Sequence, residues 1–140
     1  MTDISVTVDL GDGGILNAFT AIDDFVRDET ARIVYRTGAR TRTQVRANAS
    51  GRPGPRVGAT GDYRRNISQT NGLEGAVPVA AVFTTSPQGA RLEYGFNGTD
   101  SAGRSFRQPP YPHWRPAAEK IEESFTRECE LMVADAVRGL

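Results

Sequence analysis

The chain is short of the side chains that most reaction mechanisms need. Its 140 residues hold one cysteine (Cys129), one histidine (His113), one tryptophan (Trp114) and one lysine (Lys120). A single cysteine excludes an internal disulfide and a cysteine-built metal site. A single histidine leaves few groups suited to acid–base or nucleophilic work near neutral pH. No apolar run exceeds a few residues, so no transmembrane helix is expected. The first residues, MTDISVTVDLGDGG, have neither a basic nor an apolar stretch. No signal peptide is expected there, and the chain reads as soluble and cytosolic at synthesis. Net charge is missing too: basic and acidic residues number 17 each, which argues against a general polyanion binder. No internal repeat is present.

The length suits one domain with a core of its own. All cationic residues but Lys120 are arginines, and the charge is segregated along the chain. Residues 1–24 carry Asp3, Asp9, Asp12, Asp23 and Asp24 and no base. Residues 25–65 carry ten arginines against Asp28, Glu29 and Asp62. A dipolar subunit of this kind suits head-to-tail contacts, where one copy's basic face meets the next copy's acidic face. The alternative is a solvated basic helix face followed by a basic loop.

Hydrophobic spacing predicts an α+β fold. A small, mainly antiparallel sheet is expected from residues near 4–9, 65–70, 77–85 and 90–96, packed against helices near 14–49 and 114–137. Ile4, Val6 and Val8 alternate with Ser5 and Thr7. Ile15, Leu16, Phe19, Ile22, Phe25, Val26, Ile33 and Val34 then recur at helical spacing, with Gly38 a point where the helix could kink. The run 77–85 and the alternation Leu92, Tyr94, Phe96 are expected to pair as a hairpin. Two long extended loops are expected, over 51–62 and 97–112. Pro116 fits the first turn of the last helix, whose apolar face includes Trp114, Ala117, Ile121, Phe125, Cys129, Met132 and Ala136.

No catalytic, cofactor or metal constellation emerges. His113 reads as a packing residue beside the helix start, and Cys129 as a small hydrophobe on the helix stripe. Glu122 and Glu123 share a solvent face with Lys120 and Arg127, unlike an acid–base carboxylate pair. Gly11-Asp12-Gly13-Gly14 lacks the lysine and hydroxyl of a phosphate loop.

Three stretches in order carry a resemblance. They are Thr60-Gly61-Asp62-Tyr63-Arg64-Arg65-Asn66-Ile67, then Ala90-Arg91-Leu92-Glu93-Tyr94-Gly95-Phe96, then a proline-aromatic approach into Arg115-Pro116-Ala117-Ala118. Together they resemble the small head–tail joining, tail-completion or neck proteins of long non-contractile-tailed bacteriophages, over residues 4–136. Tyr63 stands where that family usually has Leu, Asn66 where it has Ser, and Phe96 where it has Thr. Trp114 with its proline-rich approach replaces a simpler Pro-Phe.

The resemblance implies a non-catalytic virion protein without a cofactor, present in the host cytoplasm during assembly. It would form a homo-oligomeric ring, six-fold by the family reading, that completes the tail or joins it to the capsid connector. Its partners would be the head-closure or connector protein, the tail terminator and tail-tube proteins, with genomic DNA nearby and no membrane. Expected interface residues are Tyr63, Arg64, Arg65, Tyr94, Phe96, Phe106, Tyr111 and Trp114. Arg40, Arg42, Arg46, Arg52 and Arg56 form an expected basic surface. They would either face the lumen and its DNA or pair with acidic residues of a neighbouring protein. Pairing is favoured, because tight phosphate contact would impede genome passage. Other readings are the tail terminator itself, an Arg-rich nucleic-acid module and a small enzyme. Only Tyr35 and Tyr63 are interleaved with the arginines, a poor stacking platform for bases.

Overall fold

The computed structural model describes residues 14–49 and 61–139. In chain order these form α1 (Gly14–Asn48), α2 (Asp62–Asn66), β1 (Ser68–Glu74) and β2 (Val77–Phe83). They continue through α3 (Gln88–Tyr94), β3 (Phe96–Thr99), β4 (Ser105–Gln108) and α4 (Trp114–Arg138). The fold is α+β, with the two long helices where the apolar stripes placed them.

Helix α1 is 35 residues long, about 52 Å at the usual rise per residue. Its β-branched polar residues do not disrupt it. Thr30, Thr41 and Thr43 each donate their hydroxyl to the carbonyl four residues earlier. Helix α4 runs antiparallel beside it. Asn48 Nδ2 donates to the His113 carbonyl, Lys120 Nζ to Gln44 Oε1, and Arg40 to Ser124 Oγ and Glu128. Thr30 Oγ1 reaches Met132 Sδ further along. These rungs set one register along the helix pair.

Strands β1 and β2 form an antiparallel hairpin, Ser68 opposite Phe83 and Glu74 opposite Val77. Gly75 turns it at φ +62°, a conformation that side chains with a Cβ rarely adopt. The hairpin lies across α1. Gln69 Nε2 donates to the Tyr35 carbonyl and the Tyr35 hydroxyl donates to the Gly72 carbonyl. Val45, Ala49, Tyr63, Ile67, Leu92 and Ala117 are buried together, with Val82 and Trp114 packed on them.

Several expected elements take another form. The stretch near 65–70 divides into the end of α2 and the start of β1. Residues 90–96 do not pair with β2: residues 88–94 are helix α3, and the partner of β2 is β1. Gly89, Leu92 and Glu93 are the buried positions of α3, at helical spacing, while Tyr94 is 81% exposed. The alternation of Leu92, Tyr94 and Phe96 was therefore not a pleated face. Asn66 Oδ1 holds the approach to α3, accepting from the Thr84 and Thr85 hydroxyls and the Thr85 and Ser86 N–H groups.

The expected loop over 97–112 contains a second antiparallel pair, β3 with β4. Its turn is locked by Asp100 Oδ1, which accepts from the Ala102 and Arg104 N–H groups. The sheet is thus two separate hairpins. The expected strand over 4–9 and most of the loop over 51–62, including Arg52 and Arg56, lie outside the described residues.

Gly38 does not kink α1. A Cβ there would stand 2.7 Å from the Ala80 Cβ and 2.7 Å from Gln69 Nε2. The glycine lets β2 approach the helix backbone. Gly38→Leu is expected to lower stability by about 1–3 kcal/mol in urea unfolding, the usual cost of overpacking. Gly72→Ala, which meets nothing within 4 Å, is expected to change it by less than about 1 kcal/mol.

Candidate functional site

The start of α4 is where the three motif-bearing stretches meet. A helix N-terminus leaves four N–H groups without intrahelical partners. His113, at the cap position, makes no side-chain cap of its own. The cap comes from α3 instead. Glu93 Oε2 accepts from the His113 N–H at 2.7 Å and the Trp114 N–H at 3.0 Å, and Oε1 from the Arg115 N–H at 3.0 Å. Pro116 has no N–H, so one carboxylate serves every donor of the first turn. Glu93 is 7% exposed. Burial alone would raise its pKa, but the three backbone donors, with His113 beside it, outweigh that and hold the carboxyl below its usual range.

Around the carboxylate lies a closed hydrogen-bond chain. His113 Nδ1 donates to the Tyr111 carbonyl at 2.9 Å, and Glu93 Oε2 lies 3.1 Å from the same nitrogen. A carbonyl can only accept, so Nδ1 carries a proton. Nε2 and the Tyr63 hydroxyl share a hydrogen bond at 2.5 Å, and the hydroxyl accepts from Trp114 Nε1 at 3.3 Å. Burial, and to a lesser degree Glu93, raises the Tyr63 pKa against the lowering effect of Trp114. Tyr63 and His113 are each 3% exposed. A Glu–His–Tyr series can serve as a proton relay, but here each polar atom is occupied inside the fold. Its work is to join α2, α3 and α4.

The expected interface residues divide accordingly. Tyr63 belongs to the chain's own core and has no surface to offer a partner. Trp114 is half-buried, with its indole nitrogen bonded inside. Tyr111 is half-buried, its N–H donating to the Leu92 carbonyl at 2.6 Å. Arg64 and Arg65 are exposed on α2, Arg65 paired with Asp62.

Phe96 and Phe106 meet in one cluster with a neighbour that sequence reasoning missed, Arg91, while Tyr94 is exposed at the end of α3. Its guanidinium stands 4.4 Å over the Phe96 ring, and Phe96 packs on Phe106 with centroids 5.2 Å apart. Gly95 makes this corner possible. At φ +79° a Cβ would meet the Gln108 carbonyl at 2.8 Å.

Of the expected basic surface, Arg40 and Arg46 are engaged within the chain. Arg40 and Arg36 both reach Glu128, at 2.5 and 2.7 Å, and hold its carboxyl below the usual range. Arg46 donates to the Ile67 carbonyl at 2.7 Å, helping to fix β1 against α1. Arg42 Nε is buried without a hydrogen-bond partner among the described residues. Burial pushes the Cys129 thiol up, so it is a poor nucleophile. Among the described residues no three metal-ligating side chains cluster, and no helix is long and apolar enough to cross a membrane.

No family model, curated protein or solved structure matches this chain. Glu93 itself stood in a sequence motif, but its capping role had no local signal, because its donors lie 20 residues on.

Glu93→Gln keeps the shape of the cap and removes its charge. It is expected to cost about 1.5–3 kcal/mol, the range for hydrogen bonds to a charged group. The folded pKa of Glu93 lies below the unfolded one. Its contribution is therefore complete above the ordinary Glu range, near 4.3, and is lost as pH falls through the folded value. The wild-type and Glu93→Gln stabilities, read by urea unfolding between pH 7 and 3, should converge on acidification. Tyr63→Phe should cost about 1–3 kcal/mol by removing the hydroxyl that partners the buried His113 Nε2, read by the same unfolding.

Proposed function

We propose that this chain is a structural subunit of the head–tail joint of a long non-contractile-tailed bacteriophage. It assembles as a ring that completes the tail or connects it to the capsid connector. The observation that supports this reading is the convergence of the three motif stretches. Tyr63 of the first, Glu93 of the second and His113 to Ala117 before the last helix meet in one buried network. Their order along the chain thereby acquires a physical reason, since each stretch supplies a part that the others need.

A non-catalytic role accords with the use of the titratable groups. The only histidine and its Glu and Tyr neighbours serve the fold. A nucleic-acid role is less well supported, because Arg36, Arg40 and Arg46 act within the chain. Exposed apolar side chains, among them Tyr94, Leu131, Val133 and Val137, offer surface for neighbouring subunits.

Two measurements test the reading. Light scattering on the purified chain is expected to give a mass several times the 15.2 kDa of the subunit. A nonsense mutation in the gene, carried in its phage, is expected to leave filled heads and separate tails by electron microscopy. A lysate of joined, infectious particles would refute the role.

A further inference from the structure

A two-stranded sheet covers only part of a two-helix layer. Strand β2 pairs with β1 on one side, and its other edge has no strand partner among the described residues. On that side lies a groove of about 770 Å³. Val34, Gly38 and Thr41 of α1 line it, with Ala80 and Val82 of β2 on one flank and Trp114, Ala118 and Phe125 of α4 on the other. No residue of β1 lines it, so it opens away from β1, towards α4. Thr37 Oγ1, also in the lining, is buried without a hydrogen-bond partner among the described residues. Unpaired strand edges are templates for further strands, and a two-stranded hairpin alone is marginal.

The occupant this groove requires is a short extended segment, apolar on alternate residues. Residues 4–8 have that pattern: Ile4, Val6 and Val8 on one face, Ser5 and Thr7 on the other.

The chain's own copy cannot lay the whole of residues 4–8 beside β2. The close contact between Gly38 and Ala80 places the middle of β2 beside Gly38. Twenty-four helical residues separate Gly14 from Gly38, about 36 Å along α1. Val6 is eight residues before Gly14, a reach of at most about 29 Å, and Val8 reaches only about 22 Å.

We propose that the groove beside β2 receives residues 4–8 of a second copy as an added strand. Ile4, Val6 and Val8 would pack on α1 and α4, and the backbone would pair with the free edge of β2. This rests on the ring reading to the extent that it needs a second copy, and it says nothing of the virion role. Repeated from copy to copy, the contact is head-to-tail and can close a ring.

The test uses the full chain in a Cys129→Ser background. One preparation carries Ser5→Cys or Thr7→Cys, and the other carries Val79→Cys or Ala81→Cys, all on the face away from the helices. After mixing and mild oxidation, at least one combination is expected to give a disulfide-linked dimer on a non-reducing gel, with Ser101→Cys in place of the β2 cysteine giving at least tenfold less. Circular dichroism checks that each variant is folded, and light scattering reads the assembly separately. Assembly without any cross-link would overturn strand exchange and leave the ring intact. A monomer without a cross-link would overturn both. Both cysteines placed in one chain and linking within that chain at high dilution would also overturn the proposal.

Discussion

The carboxylate of Glu93 on the first turn of α4 is the contact on which the arrangement of the chain depends. A 25-residue helix begins beneath a proline-rich approach and makes no cap from its own leading residue. The His113 N–H is buried and those of Trp114 and Arg115 are part-buried, and an unmet buried donor costs roughly 1–3 kcal/mol. One carboxylate from α3 meets all of them, and it can do so only if α3 is a helix that turns Glu93 inward. The Leu92 side chain enters the core on the same face, and the Leu92 carbonyl accepts from Tyr111. Polar and apolar requirements therefore select one orientation of α3.

The His113 ring extends that constraint to α2. Its two nitrogens join a chain of hydrogen bonds running from Trp114 through Tyr63 to the Tyr111 carbonyl. A buried polar group is tolerated when its network is complete, and a complete network permits few alternative packings. This accounts for a tyrosine at position 63: a leucine there would fill the space but leave His113 Nε2 without its hydrogen-bond partner. The core is small, and these directional bonds supply specificity that its apolar area alone would not.

Electrostatics serve the same end. The arginine-rich half of α1 looks, in the linear sequence, like a surface waiting for a partner. Much of it is instead bonded within the chain, to Glu128 across the helix pair and to the carbonyl that precedes β1. The guanidinium fork suits both tasks, since it can serve two acceptors at once. Among the described residues, surface open to partners includes the cluster of Arg91, Phe96 and Phe106, the exposed Tyr94, the exposed Leu131, Val133 and Val137 of α4, and the groove beside β2.

The long helices were legible in the sequence because an amphipathic period repeated over many residues has one solution. The run Val77–Phe83 was legible as a strand from its β-branched composition. The structure of residues 88–108 was not. A six-residue alternation such as Arg91 to Phe96 fits a pleat and a helical turn equally well, and only the burial of Leu92 and Glu93 decides between them. The hairpin of Phe96 to Gln108 is polar and glycine-rich, and its turn depends on Asp100 closing back on Arg104. Composition likewise marked His113 as a packing residue, but the donors and acceptors that make it one lie 2, 20 and 50 residues away. Local periodicity determined the helices. Which strand pairs with which, and where a carboxylate or an arginine spends its bonds, is decided by contacts between residues far apart in the chain, and these exist only once the tertiary structure has formed.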